Sequence, residues 1–177
     1  MRPPDRVAGT GVVLRRMTAG DAPDIAAAVI ESGESLSRYE SWARPGFTTA
    51  DAFSYVVWWA RAWEEGTAFY YAVEDETGRL CGSCGLGQVD VERRTAAIGY
   101  WIRSSAAGNG LATAAVRAII EAAWSCGFEG LTIVAAESNV PSRRVAEKAG
   151  GIESPDDVGT VYEDGSQVRA VQYVIVG

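Results

Sequence analysis

With 177 residues, 47% of them apolar and 22% charged, the chain has the size of one domain and enough apolar side chains for a single core, which excludes two full catalytic domains. No apolar run reaches the roughly 20 residues needed to cross a bilayer, and no basic start with an apolar stretch and small-residue cleavage site marks export, so a cytoplasmic protein without membrane partners is expected. The formal charge of −7 opposes binding to nucleic-acid backbones and suits a cationic amine, while the absence of histidine removes every Ser-His and Cys-His mechanism.

Gly11 to Met17 reads as a first strand, and Thr18 with Asp21 resembles a helix cap before Ile25 to Ile30, a helix that Gly33 is expected to end. Glu34 to Gly46 mixes aromatic and charged residues without a period and is expected to be a loop or short helix lining a pocket. Thr48 and Thr49 can cap a helix carrying Trp58, Trp59 and Trp63 and stopped by Gly66. Strands are expected over Thr67 to Val73, Arg79 to Leu86 and Thr95 to Ile102, joined as an antiparallel meander. Leu111 to Ser125 follows as a helix whose polar residues Thr113, Arg117, Glu121 and Ser125 leave one narrow wet stripe. The apolar run Leu131 to Ala136 is expected to be a central strand buried on both faces, and its helical connection implies parallel pairing with the strand before it. Pro141 opens a short helix closed by Gly150 and Gly151, and Val168 to Val176 completes the sheet. The expected fold is an α+β single domain over residues 1–177, with a mixed, mostly antiparallel sheet flanked by helices and one parallel strand pair.

Cys81, Cys84 and Cys126 form an odd set without an export signal, which argues for reduced thiols. Cys81-Gly-Ser-Cys84 lies in a strand-like run, where residues three apart face opposite ways. With no second such pair and no histidine, the cysteines are expected to be structural and no metal is expected.

Two strand-to-helix junctions carry the chemistry. Gly108, Asn109 and Gly110 precede Leu111, Ala112 and Thr113 at a helix N-terminus, where free amides and the helix dipole attract phosphate. Small residues also suit a plain tight turn, and the pattern is neither a Walker A loop nor a Rossmann fingerprint. Glu137 to Gly150 forms the second junction; alone, Asn139 reads as a cap and Ser142 as a first-turn residue, but both junctions would face one crevice.

Together with Gly78-Arg-Leu-Cys-Gly-Ser-Cys-Gly-Leu86, Ile98-Gly-Tyr-Trp-Ile102, Ala115 and Glu147-Lys-Ala-Gly150, these junctions make the chain resemble the RimJ/RimL branch of the GNAT acetyltransferases over nearly its whole length. Members of that branch acetylate protein N-termini or small-molecule amines. The resemblance implies that the strand ending Trp101-Ile102-Arg103 splays from Leu131 to Ala136 and that acetyl-CoA lies in the gap. It puts the amides of Gly108 to Thr113 on the pyrophosphate, Asn139 on the pantetheine arm, and Ser142 near the sulfur as the acid for the departing thiolate. Direct attack of a neutral amine on the thioester needs positioning, an oxyanion donor, a base and an acid, but no histidine and no metal.

The chain departs from the family pattern at Ser105, where Gln or Arg is usual, at Ala97 and Val161, where relatives carry a glutamate base, and at Gly151, where Phe is usual and a looser core is expected. The base is therefore sought in Glu34, Glu40 or Glu153, or in a water chain. Glu34, Tyr39 and Trp42 match the substrate-lining segment, although packing of the rings onto the core is equally open. The leading expectation is acetylation of a primary amine on a small metabolite or antibiotic-like compound. The alternatives are acetylation of a protein N-terminal α-amine and a noncatalytic CoA-binding module; a homodimer is left open.

Overall fold

The computed structural model describes residues 1–177. Its elements are β1 (Arg6–Gly9), β2 (Val12–Arg16), α1 (Ala22–Ser37), α2 (Thr49–Glu65), β3 (Phe69–Asp75), β4 (Leu80–Asp90), β5 (Thr95–Ile102), α3 (Leu111–Ser125), β6 (Gly130–Ala136), α4 (Val140–Lys148), β7 (Ile152–Glu153), β8 (Thr160–Glu163) and β9 (Ser166–Val176). The strands form one sheet in the order β1-β2-β3-β4-β5-β6-β9-β7, with β8 on β9; every pair is antiparallel except β5 with β6. This is the α+β plan with one parallel junction that the element order implied.

Side-chain alternation along the strands splits the apolar residues between two cores. Leu14, Tyr71, Leu86, Ile98, Leu131 and Tyr173 join Val116 and Ile119 of α3 on one face. Ala72, Leu80 and Trp101 join Ile25 and Val29 of α1 and Val56 of α2 on the other. Burying these side chains contributes roughly 1.5–3 kcal/mol for each large aliphatic or aromatic one, enough to hold both helical layers on the sheet. Arg117, Glu121 and Ser125 of α3 are exposed among buried neighbours, the wet stripe the sequence called for.

Gly33 (φ 43°, ψ −124°) is non-helical and breaks α1 as expected, and the short helical stretch that follows to Ser37 buries Leu36 in the second core. Three local differences have physical reasons. β1 lacks an apolar run, being alternately exposed and half-buried at the sheet edge, so only its pairing with β2 reveals it. β6 is buried on one face alone: Thr132 is half-buried and Val134 is 41% exposed, because the layer of α1 and α2 covers β3 and β4 and stops short of β6. At Gly151 the core is not loosened; a Cβ there would stand 3.0 Å from the Ala146 carbonyl and from Tyr173 Cβ, so the backbone itself fills the space.

Cys81 and Cys84 are buried, and burial pushes both thiols up, which makes them poor nucleophiles. No group of three or more His, Cys, Asp or Glu side chains is placed to hold a metal ion, and no helix is long and apolar enough to cross a membrane. The glycines among these cysteines let β3 and β4 pack closely: a Cβ on Gly85 would lie 2.3 Å from the Phe69 carbonyl oxygen and 2.5 Å from Tyr70 Cα. Because backbone atoms cannot swing aside as a flexible side chain can, Gly85→Ala is expected to destabilise the fold by about 1–3 kcal/mol, read as a lower urea midpoint at unchanged slope.

Candidate active site

β5 and β6 pair only at Thr95 with Gly130, Ala96 with Leu131 and Ala97 with Thr132, and then part. β5 stays on β4 as far as Ile102, and β6 stays on β9 as far as Ala136. The facing edges beyond the fork therefore carry backbone donors and acceptors without strand partners, and buried groups of this kind call for a ligand or water. They form the lips of a crevice of about 900 Å³.

Gly108, Gly110, Leu111, Ala112 and Thr113 line one end of this crevice. Gly108 and Gly110 take the left-handed conformation (φ 81° and 82°), which turns successive amides outward ahead of α3. The amides of Gly108 to Thr113 make no hydrogen bond to the protein, the first within the helix being Ala114 N–H to the Gly110 carbonyl at 3.0 Å. Asn109 is exposed at the tip and contributes no side-chain lining. The head of the loop is pinned from α1: Glu31 accepts from the Arg103 guanidinium and from the Ser105 amide (2.9 Å). Those bonds lower the Glu31 pKa to about 2. Arg103 thus points its side chain at Glu31 and the Leu80 carbonyl, away from the crevice. Trp101 and Ile102 do line it, although the Trp101 indole reaches into the second core, where its Nε1 donates to the Tyr55 hydroxyl at 3.2 Å.

The second junction lies across the gap. Asn139 caps α4, accepting from the Ser142 amide at 3.2 Å, so its capping role and its place on the crevice wall coexist. Ser142 also lines the crevice, and its Oγ is 2.9 Å from the Tyr100 hydroxyl, which donates to the Ser142 carbonyl at 3.0 Å. Burial pushes the Tyr100 pKa up to about 12, against the opposing pull of its bond with Ser142. Tyr100 was not singled out in the sequence for a chemical role; the available signal was its place two residues after Ile98 on β5, facing the α3 side.

Four carboxylates compete for the role of base. Glu34 lies on the exposed side of the short helical stretch beyond Gly33 and does not line the crevice. Glu153 is on the exposed strand β7, bound to Arg143 and Tyr173, and is likewise outside. Glu163 is buried, but both of its oxygens are occupied, one by Arg38 and the other by Ser138. Glu40 lines both the crevice and an adjoining aromatic cavity of about 400 Å³. Its Oε2 accepts from Trp42 Nε1 at 2.7 Å and its other oxygen has no partner in the protein. Burial raises its pKa, with the Trp42 bond opposing. Tyr39 lines the crevice, while Trp42 packs in the aromatic cavity against Phe47, Tyr55 and Trp101. Val161 lines the crevice as an apolar wall, and Ala97 lines a third cavity on the α2 side, so neither position offers a base.

Charge is also unevenly spread. Only Arg6, Arg117, Arg144 and Lys148 among the basic side chains form no ion pair. Arg144 and Lys148 lie one turn apart on α4 and line the crevice, and Arg117 of α3 donates to the Lys148 carbonyl at 2.6 Å. In a chain of net charge −7, two of the four unpaired cations thus line one crevice, where an anionic ligand would be drawn.

Comparison with known proteins agrees with this geometry. The profile of the acetyltransferase (GNAT) domain matches residues 12–152. A protein of Bacillus subtilis (strain 168), named provisionally as the ribosomal N-acetyltransferase YdaF, is 27% identical over 168 residues, spanning 93% of this chain and 91% of its own. Mycobacterium smegmatis RimJ, solved with CoA-disulfide, superposes with a TM-score of 0.91 at 23% identity, covering 100% of this chain and 90% of RimJ. The acetyltransferase from Salmonella typhimurium that modifies the N-terminal serine of ribosomal protein L7/L12 superposes with a TM-score of 0.85 at 17% identity, covering 95% and 96%. A forked parallel strand pair, a row of unpaired amides before α3 and a family match across most of the chain lead to one conclusion: the protein belongs to the GNAT acetyltransferase family.

Proposed function

We propose that the protein transfers the acetyl group of acetyl-CoA to the N-terminal α-amine of a protein. The free amides of Gly108 to Thr113 suit the pyrophosphate, and the unpaired lips of β5 and β6 suit an amide-rich pantetheine arm. Ser142 would hold a proton for the leaving thiolate and Glu40 would accept one from the attacking amine. The observation that carries the choice of acceptor is a trough on the α2 face. The aromatic cavity beside Glu40 shares Trp58, Trp59, Tyr70 and Gly99 with a neighbouring cavity of about 710 Å³ that runs on to Gln88, Thr132 and Gln172. An open trough with aromatic walls and amide side chains at its far end suits an extended peptide better than a compact amine. The relatives named for ribosomal proteins point the same way, and the small-molecule acceptor expected from the acidic balance and the aromatic and carboxylate residues of segment 34–42 gives way to the peptide.

An acceptor panel tests this reading by following CoA release. Peptides with a free N-terminal serine or alanine, the same peptides with N-formyl ends, and small polyamines and aminoglycosides would be compared. Turnover confined to the free-ended peptides is expected; turnover confined to the small amines would overturn the protein-acceptor reading. Binding of acetyl-CoA without turnover of any amine would leave only a CoA-binding module.

The unpaired cations make a separate prediction. Arg144 and Lys148 are expected to hold the 3′-phosphate of CoA, so the double change Arg144→Ala/Lys148→Ala should weaken acetyl-CoA binding by about tenfold or more, as for loss of charge-assisted hydrogen bonds. Calorimetry with 3′-dephospho-CoA should show little difference between wild type and variant. Equal losses for both ligands would place the 3′-phosphate elsewhere.

A further inference from the structure

Arg38 ends α1 immediately before Tyr39 and Glu40, the two residues that bring this arm to the crevice. Its guanidinium donates through Nε (3.0 Å) and Nη2 (2.7 Å) to one oxygen of Glu163. The other oxygen accepts from Ser138 Oγ, in the turn just before Asn139 and α4. Glu163 itself ends β8, which pairs only with β9 and contributes Val161 and Tyr162 to the crevice wall. The next residue repeats the tie through the backbone: Asp164 N–H donates to the Arg38 carbonyl at 2.8 Å. One carboxylate thus joins segments 125 and 25 residues away in the chain.

Glu163 is only 8% exposed, and a desolvated carboxylate in this position costs stability unless every lone pair is used. Its bonds from Ser138 and Arg38 hold the carboxyl below the ordinary range, and with both oxygens occupied it is not placed to take a proton from an amine. An apolar side chain would pack the hairpin more cheaply, but would not fix the arm and the α4 junction against each other.

Resting on the acetyl-transfer reading, we infer that Glu163 is a positioning residue, a clasp that sets the acceptor arm through Arg38 and the cofactor junction through Ser138, so that amine and thioester meet in register. Its two halves are separable. Arg38→Met releases only the arm: the KM for a peptide with a free N-terminal serine is expected to rise about tenfold, while acetyl-CoA Kd stays within about twofold. Ser138→Ala releases only the junction: acetyl-CoA Kd is expected to rise several-fold with peptide KM little changed. Glu163→Gln, close to isosteric, is expected to move both. Arg38→Lys, which keeps the charge and loses the fork, is expected to recover part of the peptide KM.

Hydrogen exchange gives a readout that needs no acceptor. Amides of residues 38–46 should exchange faster in Arg38→Met, those of residues 138–142 in Ser138→Ala, and both sets in Glu163→Gln. If wild type binds acetyl-CoA but acetylates no peptide, the acceptor reading fails while exchange still judges the clasp. The clasp is overturned if Arg38→Met and Ser138→Ala change the same parameter and the same amides, or if Glu163→Gln alters neither.

Discussion

Glu40→Gln is expected to lower kcat for peptide acetylation by about 10²–10⁴-fold at neutral pH, the usual range for loss of a general base, while acetyl-CoA affinity is unchanged. Glutamine keeps the shape and can still accept from Trp42 Nε1, so the change removes basicity with little disturbance of packing. Glu34 and Glu153 lie outside the crevice and Glu163 has no free oxygen, whereas Glu40 has one oxygen free at the junction of crevice and trough. Burial raises the Glu40 pKa, so the carboxylate fraction, and with it kcat/KM, should climb with pH through that raised value. That acidic limb should vanish in the variant. A kcat within about threefold of wild type, with the limb intact, would hand the base role to a water chain, since such a loss is far below acid-base magnitudes.

The same shift carries an opposite sign for stability. A group whose pKa is raised on folding favours its protonated form in the native state, so its contribution is present below the unfolded value and lost as pH rises through the folded one. Above that window, burying the ionised Glu40 costs the fold something, and Glu40→Gln removes the cost. The variant is expected to melt higher than wild type at neutral pH, with the difference closing as pH falls, which thermal scans across pH would follow. Reduced activity with increased stability separates a functional carboxylate from a structural one.

The two strand-to-helix junctions that line the crevice were legible because their signals are local. A glycine pair at a helix start, an Asn before a Pro-opened helix and a strand-helix-strand order each occupy a few consecutive residues, and physics ties each to a short stretch of backbone. Leu111 to Ser125 and Thr95 to Ile102 match the observed bounds of α3 and β5 for that reason. The acceptor side was not legible in the same way. Glu40 becomes distinct from Glu34 only once the short helical stretch after Gly33 turns one outward and the other inward. The bonds of Glu163 to Arg38 and Ser138 join distant segments and leave no periodic trace. Val134 illustrates the converse error: an apolar run suggested burial on both faces, but the layer of α1 and α2 stops short of β6 and leaves one face open.

Ser142→Ala is expected to lower kcat by roughly 10–1,000-fold with acetyl-CoA affinity within a few-fold, on typical acid-base effects. In the proposed reaction the residue would share its proton with a neighbour. Tyr100 carries one phenolic hydrogen and lies within reach of two Ser142 oxygens, the carbonyl at 3.0 Å and Oγ at 2.9 Å. When the phenol donates to the carbonyl, Ser142 Oγ–H can donate back to Tyr100; when the phenol donates to Oγ, the serine proton is free to point at the leaving sulfur. The second arrangement is the one expected to favour delivery: Ser142 would give its proton to the thiolate and take one from Tyr100, and solvent would reprotonate the phenolate. Tyr100→Phe removes that supply and should reproduce much of the kcat loss of Ser142→Ala, and the double variant should be little worse than the poorer single, as for residues acting as one unit. Independent, multiplying losses would mean that Tyr100 acts by packing alone. A wild-type kcat in Ser142→Ala would remove the serine from the chemistry and leave solvent to protonate the thiolate.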